Sequence, residues 1–112
     1  MATTYKFTDQ YNDTMDAYLA RGSYLDGSLA VDMIANGFGD WEPWATLTVN
    51  LGTGDKRHAF VDTNDCPWAT EFLESNGLAK PTGIEHPSGY CTYPLYEFTS
   101  KFFDECEEYG EE

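Results

Sequence analysis

The sequence predicts a small α+β domain: an antiparallel sheet of about four or five strands with one or two helices packed on it. Three observations predict it. Leu29-Val31-Met33 and Leu47-Val49-Leu51 place apolar side chains at every second position, the period of a half-buried strand. Trp68, Ala69, Phe72 and Leu73 instead recur with the period of a helix, between helix-type punctuation. Aromatic residues are 16% of the 112 positions, so the chain has large groups to bury, which disordered acidic chains lack. A chain of this length supports one core without staples.

The elements follow in chain order. Tyr11, Met15, Tyr18 and Leu19 lie at i, i+4, i+7 and i+8, predicting a helix over 11–20, capped by Asp9 and ended by Gly22. Asp26-Gly27 between apolar residues predicts a hairpin with a type I′ turn, and a strand over 28–35. A loop with Gly37, Phe38, Gly39 and Trp41 follows. The residues over 45–51 and 58–63 read as antiparallel neighbours across a loop at 52–57. Pro67 at the start and Gly77 at the end delimit a helix near 67–76, with Asn64 and Asp65 as caps. Two prolines and two glycines make 78–89 a loop, and 91–98 is a strand whose Pro94 calls for an edge position. Residues 1–98 are therefore expected to form one domain, and 99–112 an acidic tail, helical or frayed.

The charge is the main functional clue. Twenty acids against six bases give a net charge of −14, which argues against direct nucleic-acid binding, since phosphate contacts need clustered Lys and Arg. No apolar run approaches the roughly 20 residues of a membrane span, and no signal-type stretch opens the chain, so a cytoplasmic location is expected. The acids concentrate late: residues 97–112 hold seven, with one lysine. A solvated tail is the bland explanation. The sharper one is an acidic decoy for another protein's nucleic-acid site, since fourteen charges match about 24 Å of duplex at about one charge per 1.7 Å. On that expectation Glu97, Asp104, Glu105, Glu107 and Glu108 carry binding. Phe38 and Trp41, in the glycine-rich loop, are the candidate exposed aromatic contacts, while Trp44 and Trp68 are expected to pack in the core or its rim.

Other chemistry is weakly signalled. Cys66, Cys91 and Cys106 are an odd number of thiols, as in a reducing compartment. With His58 and His86 they lack zinc-site spacing, and Leu73 stands where a calcium loop opening at Asp62 needs a glutamate. No metal or cofactor is expected. Cys66, at the start of the predicted 67–76 helix, offers a nucleophile with His58 or His86 as base and Asp62 to orient it. That hydrolase is the alternative to a non-enzymatic protein-binding domain. A small-ligand module built on the Trp41 loop is a third reading.

Three stretches carry a resemblance: Trp41-Glu-Pro-Trp-Ala-Thr-Leu-Thr-Val-Asn-Leu51, Ala59-Phe-Val-Asp-Thr-Asn-Asp-Cys-Pro-Trp68 with the segments that follow it to Gly83, and Ser88-Gly-Tyr-Cys-Thr-Tyr-Pro-Leu-Tyr-Glu-Phe98. Together they resemble a family of small bacterial proteins of unknown function, often encoded on mobile elements and plasmids. The resemblance implies no catalytic residue. Its mobile-element setting implies a counter-defence role by analogy.

Overall fold

A computed structural model describes residues 3–37, 39–53 and 55–108. It arranges them as two sheets and two short helices around one core. The first sheet is built from β1 (Tyr5–Thr8), β2 (Thr14–Ser23), β3 (Leu29–Ala35) and β4 (Glu42–Thr46), in that order and antiparallel. The second runs β5 (Thr48–Val49), β6 (His58–Val61), β8 (Cys91–Phe98), β7 (Ala79–Ser88). Helix α1 (Ala69–Ser75) precedes β7; α2 (Ser100–Glu105) follows β8, and the two-residue β9 (Glu107–Glu108) pairs in parallel with Ala20 and Arg21 of β2. The α+β class stands, with two sheets in place of one.

The two sheets meet at Leu47. Its N–H donates to the Val31 carbonyl at 2.8 Å, and its own carbonyl accepts from the Asp62 N–H at 2.8 Å. The strand expected over 45–51 is therefore two pieces, β4 in one sheet and β5 in the other, with a fully buried leucine at the seam. The expected neighbours do pair, Thr48 with Val61 and Val49 with Phe60, antiparallel. One buried cluster draws on both sheets and both helices, among them Phe7, Met33, Val61, Phe72, Phe98 and Phe102.

Four expectations are corrected. The helix predicted over 11–20 is strand β2, and Tyr11, its supposed anchor, is 76% exposed. The operative period is two, carried by Met15, Ala17 and Leu19, all buried; the small Ala17 hid it. At the Asp26-Gly27 turn only glycine takes positive φ, 88°, and β2 and β3 rejoin as Ser23 opposite Leu29, so the connection is a five-residue loop rather than a type I′ turn. Residues 79–88 are an edge strand, not a loop: Pro81 and Pro87 are tolerated because one side of β7 has no neighbour in the sheet, and Gly83, φ 87°, takes up the register shift between Pro81 and Glu85. Strand β8 is central rather than at an edge, yet its pairing with β6 covers only Leu95 to Glu97, so Pro94 lies beyond that ladder.

Helix α1 falls inside its predicted span and turns Ala69, Phe72 and Leu73 inward. Gly77 follows with φ 70°, the left-handed stop that glycine tolerates. No side chain caps its N-terminus at Trp68, and Asp62 instead accepts the Asp65 N–H at 3.1 Å in the loop before it. The segment expected as an acidic tail is part of the packed structure through Glu108. Thr99 caps α2 by accepting from the Phe102 N–H, and Phe102 is 1% exposed.

Candidate functional site

A groove of about 740 Å³ opens where three connections converge. They are the β1–β2 turn, strand β4 and the loop leading into α1. Asp9 builds the first wall. Its carboxylate accepts the backbone N–H groups of Tyr11 and Asp13, both at 2.9 Å, and its backbone closes the turn with Asp13 at 3.0 Å. That spends Asp9 on its own turn, and it is 9% exposed. The turn holds Tyr11 and Asp13 out toward solvent. From β4 come Glu42, Pro43 and Trp44, and from the pre-helix loop Asp65, Cys66 and Trp68. Trp68 is fixed from behind by Phe7, ring centroids 4.3 Å apart.

Gly37 forms the floor beside Trp44. A Cβ there would meet the Trp44 indole at 2.7 Å and Met15 Sδ at 3.0 Å, so the backbone approaches the ring as only glycine allows. Replacing Gly37 with alanine should displace the Trp44 ring and destabilise the fold by about 1–3 kcal/mol, the usual result of overpacking. Urea unfolding and the near-ultraviolet circular dichroism of the indoles check this.

The ion pairs among the described residues form outside the groove lining. Lys6 pairs with Asp16 at 2.9 Å, Arg21 with Glu108 at 3.5 Å, Lys80 with Glu97 at 3.9 Å and Lys101 with Glu105 at 3.2 Å. None of the ion pairs among the described residues reaches Asp9, Asp13, Glu42 or Asp65. No Lys or Arg is among the described residues that line the groove.

This division bears on the residues singled out from sequence. Glu97, Glu105 and Glu108 each have a cation beside them; the Tyr5 hydroxyl that donates to Glu105, and then Lys101, hold the Glu105 carboxyl below the usual range. Asp104 and Glu107 are exposed. The five acids thus lie along β8, α2 and β9 and include much of the molecule's compensated charge. Trp41 is 48% exposed but leans on Tyr18, centroids 5.3 Å apart, and is not part of the groove wall. Phe38 lies outside the described residues.

The Cys-His constellation is not assembled. Cys66 lines the groove, whereas His58 and His86 line a separate cavity of about 450 Å³ with Asp55, Phe60 and Leu95. His58 Nδ1 lies 3.2 Å from Asp55, not near Asp62's side chain as an orienting group, and His86 Nδ1 lies 2.8 Å from the Pro87 carbonyl. Helix α1 begins only at Ala69, so Cys66 is not on its first turn. Burial, and then the charges of Asp62 and Asp65, push the Cys66 thiol up to about 11. Its Sγ is 3.7 Å from the Thr46 carbonyl. Iodoacetamide near pH 7 should leave Cys66 unlabelled in the native protein and label it in urea, as peptide mass spectrometry would read. All three cysteines are free thiols. Among the described residues no group of three or more His, Cys, Asp or Glu side chains is placed to hold a metal ion, and no helix is long and apolar enough to cross a membrane.

The groove went unnoticed in the sequence because its parts are far apart there. Trp44 and Trp68 pack half-buried against the core, as expected, and also line the groove, whereas Asp9, expected as a helix cap, closes a turn. The one local signal was Asp9 and Asp13 flanking Tyr11 and Asn12, the latter with φ 68°, a turn rather than a helix start.

The fold and site together define a small two-sheet α+β domain with an acidic, aromatic-walled groove. Over residues 19–112 the chain matches the family described as a domain of unknown function, DUF4313, and it belongs to that family. The match leaves out β1 and the first half of β2, and includes the acidic C-terminal segment. Comparison with curated proteins and with solved structures finds no match.

Proposed function

We propose that this chain is a protein-binding domain without catalysis of its own, and that it engages a basic surface on another protein. One observation carries the reading. Four of the six bases are tied to acids outside the groove, and no ion pair among the described residues reaches Asp13, Glu42 or Asp65 in its lining, which leaves those carboxylates uncompensated. An uncompensated field beside a concave surface attracts a cationic partner and speeds its association. Nucleic acid and anionic membrane surfaces are repelled by the same field.

The narrower form of this reading is a decoy, in which the partner's basic surface is one that ordinarily holds nucleic acid. Asp104 and Glu107, exposed on the C-terminal segment, support a second negative strip for such a partner.

Capture of partners from the native host, identified by mass spectrometry, followed by affinity measurements on the purified partner, tests both. The expected partner is basic, and its affinity falls at least about tenfold from 0.1 to 0.5 M salt as the Debye length shortens. Competition by duplex DNA for the same partner surface supports the decoy, and simultaneous binding of both removes it. An affinity that ignores salt overturns the whole reading.

A further inference from the structure

We infer that the groove between the β1–β2 turn, β4 and the pre-α1 loop holds an arginine-bearing segment of the partner protein. The inference rests on the proposed protein-binding function and names its recognition chemistry. Two features select the ligand. The groove is lined by the aromatic side chains of Tyr11, Trp44 and Trp68 together with the carboxylates of Asp13, Glu42 and Asp65. A ligand using both must be cationic and must also have a flat or apolar surface to lay on a ring. Guanidinium meets both needs: it is planar, weakly hydrated, stacks on indole, and forks onto a carboxylate. A lysine ammonium is compact and strongly hydrated, and gains less from the rings. A bare metal ion has no use for them.

Size and charge narrow the occupant further. A volume of about 740 Å³ exceeds a single side chain and fits a short peptide segment. A second copy of this chain carries the same net −14, and its one arginine outside the ion pairs among the described residues, Arg57, is held over the Phe103 ring and against the Phe98 carbonyl, so it is a poor occupant. Asp9 is left out of the ligand set because its carboxylate already accepts the N–H groups of its own turn.

The test uses the full chain, labelled with nitrogen-15, and three capped peptides that differ only in four positions: arginine, lysine or neutral citrulline. Expected results are as follows. The arginine peptide shifts the indole N–H signals of Trp44 and Trp68 more than that of Trp41, which packs against Tyr18 and is not in the groove lining. The lysine peptide binds more weakly, and the citrulline peptide gives no shift. Combining Asp13→Asn with Asp65→Asn, both exposed and therefore tolerated by the fold, lowers the arginine peptide's affinity about tenfold or more, as loss of charge-assisted bonds should. Combining Asp104→Asn with Glu107→Gln changes it by less than about twofold, the residual long-range effect of distant charge. Equal binding of the citrulline peptide, unshifted Trp44 and Trp68, or indifference to the Asp13 and Asp65 amides overturns the inference. If a captured partner still binds with steep salt dependence while ignoring those two amides, the groove assignment falls and the protein-binding reading stands. If partner binding ignores salt altogether, both fall.

Discussion

Replacing Phe102 with alanine should destabilise the protein by about 3–5 kcal/mol, enough to leave a small domain marginal or unfolded. Phe102 sits on α2, in the segment that composition alone marks as an acidic tail. It is 1% exposed and meets Phe98 edge-on, centroids 4.8 Å apart, and Phe103 at 4.9 Å. Around that aromatic stack, Arg57 and Arg21 lie over the Phe103 ring at 5.1 and 5.3 Å. Truncation of the side chain opens a cavity that α2 is too short to close, since its six residues have little stability apart from packing. Chemical denaturation reads the loss directly. Asp104→Asn, two residues further on and exposed, should change stability by less than about 0.5 kcal/mol. Equal stability of the two variants would mean that the chain after Phe98 does not belong to the core.

That segment illustrates where the sequence was legible. Strand 29–35 and helix α1 declare themselves because large apolar residues recur at one clear period. The C-terminal segment carries its apolar content in two adjacent phenylalanines among charges, and net charge outweighs them in any composition-based view. Strand β2 failed for a different reason. Tyr11, Met15, Tyr18 and Leu19 satisfy a helical template by chance, while the true period-two face is completed by Ala17, whose small side chain contributes little to pattern. Proline and glycine marked β7 as loop because the sequence does not tell which side of a strand is left unpaired.

The candidate site was less legible than the fold, again for physical reasons. A groove is a property of convergence. Asp13, Glu42 and Asp65 are separated by more than twenty residues at each step, and only the crossing of the chain between sheets at Leu47 brings the pre-α1 loop beside β4. The charge arithmetic pointed to the C-terminal acids, because counting acids along a chain ignores which of them fold against a cation. Lys80, Lys101 and Arg21 come from three different elements to meet Glu97, Glu105 and Glu108. The thiol at 66 was attractive only while a helix was expected to begin directly after it.

Stability should fall steeply on the alkaline side, between about pH 9 and 12, through groups that fold in their neutral form. Burial, with the charges of Asp62 and Asp65, raises the Cys66 thiol from 9.0 to about 11. Burial, with the Glu74 carboxylate that accepts its hydroxyl proton, raises Tyr96 from 10.0 to about 12. Tyr5, half-buried and donating to Glu105, is raised further for the same two reasons. A group whose folded pKa lies above its unfolded one holds its proton more tightly when folded. Its stabilising contribution is complete below the unfolded pKa, and it disappears as pH rises through the folded one. The loss therefore begins near pH 9 with Cys66 and continues from pH 10 with the tyrosines. One pKa unit corresponds to about 1.4 kcal/mol; discounted for screening by nearby solvent, Cys66 and Tyr96 should each give up on the order of 1–2 kcal/mol. The two tethers matter structurally as well, since Tyr96 joins β8 to α1 and Tyr5 joins β1 to α2. Urea midpoints from pH 8 to 12 measure the total, and Tyr96→Phe separates the terms. That variant should lose less stability between pH 10 and 12 than the parent, although it starts lower for want of the Glu74 bond. A parent whose midpoint stays flat to pH 12 would show that these phenols and the thiol ionise without resistance from the fold.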